Sequence, residues 1–151
     1  MATLNVRLLH PSAKVPVRAH DSDIGYDLFS IETITIYPSQ TIMVRTGIAV
    51  QCVWWASIEI WPRSGMASKG IMTIRDLLSP LSDPGAGLVD PGYTGEIRVV
   101  LHNLTDDSFQ VYAGERIAQL KISPVMRPDI AVVDEFDETD RGDNGFGSTG
   151  E

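Results

Sequence analysis

The chain has 151 residues, is 43% hydrophobic and 21% charged, and carries 12 basic against 20 acidic side chains, so its formal net charge is 12 − 20 = −8. This composition describes one globular domain with a real core. It excludes a disordered chain, a broad nucleic-acid-binding face and, with Cys52 as the only cysteine, a disulfide framework or multi-Cys zinc site. No apolar run reaches the ~18 residues of a membrane span. The opening MATLNVRLLH lacks the basic start and long apolar core of a secretory leader. The expected setting is intracellular, cytoplasmic or nuclear.

Taken in chain order, the apolar residues alternate at period two, which predicts short strands. Leu4, Val6 and Leu8 alternate first, followed by Ile34 and Ile36, then a longer run from Ile42 through Val44, Thr46 and Ile48 to Val50. Ile58 and Ile60 flank Glu59. Ile97, Val99 and Leu101 alternate, and a glycine-containing hairpin is expected to link Leu88-Val89 to Ile97-Val99. Phe109 and Val111, Ile117 to Ile122, and Ile130 to Val133 complete the set. Turn signals such as Tyr37-Pro38-Ser39, Asp83-Pro84-Gly85, Asp90-Pro91-Gly92 and Ala113-Gly114 separate them. Many short strands at this spacing predict an all-β sandwich or barrel. The best helical candidate is short, around Thr73 to Leu81.

The charge divides the chain. Residues 129–151 hold eight acids and one base, a sum of −7, and residues 1–128 hold twelve acids and eleven bases, a sum of −1. The reading is one domain: a β body over 1–128 and an arm over 129–151, a brief strand followed by a glycine-rich end. The end, RGDNGFGSTG, mixes a cation, an aromatic and hydroxyls, a composition suited to a lid that orders on a ligand.

Five segments carry chemistry. In PRSGMASKG, Arg63 offers a forked, permanent cation for phosphate, and Ser64 and the amides near Gly65 add neutral donors; by itself the segment also reads as an ordinary turn. In GLVDPGYTGE, an aspartate on a rigid hairpin, Asp90, is able to orient and deprotonate water, and Tyr93 offers a flat floor for a sugar; DPG by itself is also a common turn. In GERIAQL, Gln119 is a polar side chain within an apolar run, and must reach either the backbone or a ligand. Arg116 reads as structural. In HDSDIGYDLFS, the acids lack the length and glutamate of a calcium loop, and Asp27 reads as a structural hydrogen-bond acceptor. The three histidines are too scattered for a His-based metal site.

Taken together and in order, AHDSDIGYDL, PRSGMASKG, GLVDPGYTGE, GERIAQL and RGDNGFGSTG resemble the five motifs of the trimeric dUTPase family, and they span residues 19 to 150. The resemblance implies a jelly-roll-like β-barrel, a homotrimer with sites between subunits, and a flexible C-terminal arm that closes a neighbour's site. It implies hydrolysis of dUTP to dUMP and pyrophosphate with Mg2+ carried on the triphosphate. Asp27 would then act in the metal's outer shell or structurally. By the same resemblance, Asp90 activates the water that attacks the α-phosphorus, Tyr93 packs under the deoxyribose, and backbone groups at Gly87 and Leu88 pair with uracil. Arg63, Ser64, Gly65 and Gln119 contact phosphate, Arg141, Gly147, Ser148 and Thr149 close over it, and Phe146 stacks on the base.

The chain departs from the family pattern at Ile24, Trp61 and Met66, and by a longer segment at about 70–86, an expected loop with room for a protein partner. Two other readings follow from the same residues. A dCTP deaminase on this fold would need a glutamate placed for deamination. A regulatory binding protein would use the 70–86 loop.

Overall fold

The structure is a computed structural model describing residues 3–73, 87–139 and 142. The alternating runs form ten strands: β1 (Asn5–Leu8), β2 (Tyr26–Phe29), β3 (Ile34–Ile36), β4 (Thr41–Gln51), β5 (Ala56–Trp61), β6 (Ile71–Thr73), β7 (Leu88–Val89), β8 (Glu96–Asn103), β9 (Phe109–Val111) and β10 (Arg116–Pro124). One helical turn, α1 (Ser64–Ala67), follows β5. The all-β expectation holds. The strands form two four-stranded sheets, ordered β1-β4-β8-β6 and β2-β10-β5-β7, plus a ribbon of β3 and β9; the sheets do not close into one continuous barrel.

Every named strand pair is antiparallel, so each sheet has one apolar face. Ile58 and Ile60 on β5, Leu28 on β2, and Ile117, Ala118 and Leu120 on β10 are buried from one sheet. Val44 and Ile48 on β4 and Ile97, Val99 and Leu101 on β8 are buried from the other, and the two sets belong to one continuous core with Ile36 and Val111 of the ribbon. A branched aliphatic side chain buried this fully contributes about 1.5–3 kcal/mol. Thr46, the polar member of the longest run, stays buried by donating its hydroxyl to the Ile97 carbonyl at 2.5 Å, and Asn103 is buried with both ends of its amide bonded.

Three elements differ from the sequence reading. Leu88-Val89 and Ile97-Val99 are not the two arms of a hairpin: β7 pairs with β5 in one sheet and β8 with β4 and β6 in the other, so the Asp90 segment is a turn that crosses between sheets. Thr73 ends β6, paired to Leu101, where a helix was expected to begin; the rest of that candidate helix, and most of the 70–86 segment, lies outside the described residues. Ile130 to Val133 form no strand and pair with nothing among the described residues. Ile130 and Val132 are almost fully exposed, and Val133 is about half exposed.

Candidate active site

The site grows from the centre of the second sheet. β10 lies between β2 and β5, and its register sets Gln119 opposite both Asp27 and Trp61. The neighbours Ala118 and Leu120 enter the core, so Gln119 projects from the opposite face. It is half-buried, and its Nε2 donates to the Pro62 carbonyl at 2.9 Å. Both sequence alternatives for Gln119 are thus met in part: it bonds backbone, and it also lines a cavity.

That cavity holds about 510 Å³ and is lined by residues from the first, second and fourth motifs, including Gly25, Asp27, Arg63, Ser64, Gly65 and Gln119. Asp27 is its anchor. The carboxylate is buried and accepts Arg63 Nε at 2.8 Å on one oxygen and Arg116 Nη1 at 3.3 Å on the other. Arg63 Nη1 also donates to the Arg116 carbonyl at 3.4 Å. Asp27 therefore holds two guanidinium groups side by side against their mutual repulsion, and bonding through Nε aims the far end of the Arg63 fork away from its anchor. Ser64 and Gly65 open α1, where first-turn amides have no partner within the helix. A Cβ at Gly65 would meet nothing within 4 Å. The donors converge on an open space, which is the arrangement an oxyanion requires.

Sequence reasoning missed the rim. Arg116, His20, Ser22, Asp23 and Ile24 also line the cavity. Asp23 accepts the His20 backbone N–H at 2.9 Å and faces the His20 ring at 3.3 Å. The backbone hydrogen bond, with a smaller contribution from the ring, holds its carboxyl below the usual carboxylate range. Formal charge over the cavity is therefore Arg63 and Arg116 against Asp27 and Asp23, or 2 − 2 = 0. The signal for Arg116 was its place at the start of the GERIAQL strand, where it pairs with Phe29 on the strand that carries Asp27.

Gly25 explains itself by contact. A Cβ there would lie 2.2 Å from Gln119 Oε1 and 2.9 Å from its Cδ. Gly25→Ala is expected to push the Gln119 amide off Pro62 and into the cavity. The expected outcome is a KM for the phosphate-bearing substrate raised roughly tenfold, about the worth of one displaced polar contact, with a melting temperature within a few degrees of the parent. Steady-state kinetics and thermal melting check it.

Asp90 and Tyr93 do not reach this cavity in the same chain. β7 pairs with β5 so that Val89 faces Ile58 and Leu88 faces Glu59, with Ile60 N donating to the Gly87 carbonyl at 2.7 Å. The register carries Asp90 toward Ser57, while Arg63 lies beyond the other end of β5. Six residues of strand separate the two positions, roughly 20 Å. At its own end, Asp90 is exposed, its carbonyl accepting Tyr93 N at 3.0 Å. The Tyr93 ring folds over Gly95 and its hydroxyl donates to the Glu96 carbonyl at 3.1 Å. Gly87 is buried and Leu88 exposed beside it. Arg141, Phe146, Gly147, Ser148 and Thr149 lie outside the described residues.

An all-β body with an arginine-lined cavity at one end of a sheet, and an exposed aspartate turn at the other, has the parts a phosphate-binding protein needs. A family model described as dUTPase matches residues 11–150. A deoxyuridine 5'-triphosphate nucleotidohydrolase of Picosynechococcus sp. is 44% identical over 147 residues, covering 97% of this chain and 98% of that protein. One from Clostridium novyi is 42% identical over the same shares. Among solved structures, a variant of the Staphylococcus bacteriophage 80alpha dUTPase with dUpNHpp superposes with a TM-score of 0.86 at 30% identity, covering 99% of each chain. A phage phi11 dUTPase variant, whose structure concerns a structural Mg(II) ion, has a TM-score of 0.79 at 27% identity and covers 90% of this chain and 99% of that one. The chain belongs to the dUTPase family.

Proposed function

We propose that this chain is a dUTP diphosphatase that works as a homotrimer, with each site assembled from the Arg63 cavity of one subunit and the Asp90 turn of another. The observation that carries the composite site is the separation of these groups to opposite ends of β5. One nucleotide cannot engage both in a single chain. A second copy supplying the turn brings a water-activating carboxylate to the α-phosphate while the β- and γ-phosphates fill the arginine cavity.

In the step itself, water bound to Asp90 loses a proton to the carboxylate as its oxygen attacks the α-phosphorus in line. The P–O bond to the bridging oxygen breaks, pyrophosphate leaves with that oxygen, and dUMP remains. Arg63, Ser64, Gly65 and Gln119 hold the leaving pyrophosphate, so charge developing on it meets fixed donors. Tyr93 packs beneath the deoxyribose and excludes a 2′-hydroxyl. Backbone groups at Gly87 and Leu88 read the uracil edge, and a mismatched base leaves buried polar groups unpaired.

Magnesium fits this donor set as a passenger of the triphosphate. Among the described residues no three metal-ligating side chains cluster, and both Asp27 oxygens are held by arginines, which leaves Asp27 an outer-shell or structural role. Mg2+ typically binds through substrate phosphates and retained waters. When bound it offsets phosphate charge and polarises the phosphoryl oxygens. The zero formal sum of the cavity gives a reason for needing it. The arm closes the site: Arg141 adds the missing cation, Gly147, Ser148 and Thr149 cover the phosphates, and Phe146 stacks on uracil.

Pyrophosphate release with Mg2+ tests the reading across dUTP, dCTP, dTTP and UTP. The expected result is turnover of dUTP at least 10²-fold above the others in kcat/KM, the scale on which a polar edge discriminates. Ammonia released from dCTP would establish the deaminase instead.

A further inference from the structure

β10 ends at Pro124 and is followed by Val125-Met126-Arg127-Pro128, and from Met126 to Thr139 every residue is exposed. Ile130, Val132 and Phe136 are each more than nine-tenths exposed, so the start of the arm does not lie on its own body. Yet two residues just before it, Val125 and Arg127, are tied down at one place, the Trp54-Trp55 turn between β4 and β5. Val125 N donates to the Trp55 carbonyl at 2.8 Å. Arg127 Nη1 donates to the Trp54 carbonyl, and its guanidinium lies over the Trp54 ring, 5.9 Å from the centroid. Pro128 keeps Arg127 extended. The arm thus begins as a strut held at two successive carbonyls and one ring face.

The place of the strut gives it a use. In the β10–β5 register Pro124 faces Ala56 and Ser123 faces Ser57, and Asp90 comes toward Ser57 from the other side of β5. The root of the arm and the Asp90 turn therefore share one end of the sheet, about two strand spacings or ~10 Å apart. The chain's own arginine cavity lies at the opposite end. A chain leaving a loose root samples every direction, and each direction that misses the target is entropy lost on closure.

We infer that the Trp54–Arg127 contact is a latch that fixes the direction in which the C-terminal arm leaves the body, making Trp54 and Arg127 positioning residues for arm closure. The inference rests on the reading above that the arm closes the active site. Arg127 touches no reacting atom; it acts through the residues that follow it.

The test is a cycle between Arg127→Ala and a chain ending at Asp140. Among the described residues the core has no member beyond Ile122, and a thermal melt of the shortened chain that matches the parent establishes that its fold is kept. In the full-length protein Arg127→Ala is expected to lower kcat/KM for dUTP about tenfold, mostly through KM, with oligomeric state and melting temperature unchanged. That is the scale of one exposed cation–π contact with a charge-assisted hydrogen bond. In the shortened chain the same substitution is expected to change nothing, because there is no lid left to aim. Trp54→Ala should match Arg127→Ala, Trp54→Phe should retain most of the effect of the ring, and Arg127→Lys should recover part of the loss. Wild-type kinetics for Arg127→Ala, or an equal loss in the shortened chain, overturns the latch. If the shortened chain turns over dUTP like the full-length protein, the arm reading itself fails, and the latch with it.

Discussion

Asp90→Asn is expected to lower kcat for dUTP by about 10³-fold while leaving KM within a small factor of the parent. The loss is the contribution of a positioned general base, and it falls on kcat because Asp90 acts on water in the transition state and not on the bound nucleotide. Asparagine keeps the size of the side chain. The turn does not need the carboxylate, since the Tyr93 amide bonds the Asp90 carbonyl and the side chain is exposed. Denaturation midpoints should therefore coincide, which separates lost chemistry from lost fold. A mixing experiment tests the composite site at the same time. Asp90→Asn chains refolded together with Arg63→Ala chains should regain measurable turnover that neither has alone, because some sites then pair an intact cavity with an intact Asp90 turn. Turnover retained by Asp90→Asn would refute the assigned base. Absence of recovery on mixing would refute the shared site.

The second large effect is expected at Asp27. Asp27→Asn removes the one negative charge that lies between Arg63 and Arg116. The amide can still accept a single hydrogen bond, but it cannot offset two guanidinium groups. Losing one partner of a buried pair costs about 3–5 kcal/mol. The arginine side chains here are 28% and 48% exposed, so water screens much of that and about 1–3 kcal/mol is expected. The kinetic loss should be larger in proportion. Arg63 is aimed through its Nε bond to Asp27, and a misplacement of about 1 Å at a binding group costs on the order of 10²-fold. We expect kcat/KM reduced about 10²-fold, with KM rising, and a denaturation midpoint lowered by a measurable but non-lethal amount. A variant with parental KM would show that Arg63 is aimed by something else, the Arg116 carbonyl at 3.4 Å being the alternative anchor.

These two residues illustrate how differently sequence and structure spoke. The alternating runs from Leu4 to Ile122 were readable because period-two burial is a local property: each strand carries its own apolar face whatever it pairs with. Short elements failed on the same logic. β6 is three residues long, too short to show a period, and is a strand only because β8 offers it an edge. Ile130 to Val133 look like a strand by composition, yet they pair with nothing among the described residues. Asp27 read as a structural acceptor and Arg116 as a structural cation. Both are structural, but together with Arg63 they line the cavity proposed to hold phosphate. The rim from His20 to Ile24 lies within the first motif, but its residues were read only as acids that fail to make a calcium loop, because its role comes from bordering the cavity.

The order of the five motifs, the all-β character and the residue types able to bind phosphate and activate water were written in the sequence, because each is fixed by local chemistry or by a pattern within a few residues. Tertiary structure alone decided which of them share a space. Strand register, set by the packing of a whole sheet, placed Gln119 beside both Asp27 and Trp61 and sent Arg63 and Asp90 to opposite ends of β5. Register depends on long-range pairing that no local window contains, and in the proposed trimer it makes one chain's residues parts of two different sites.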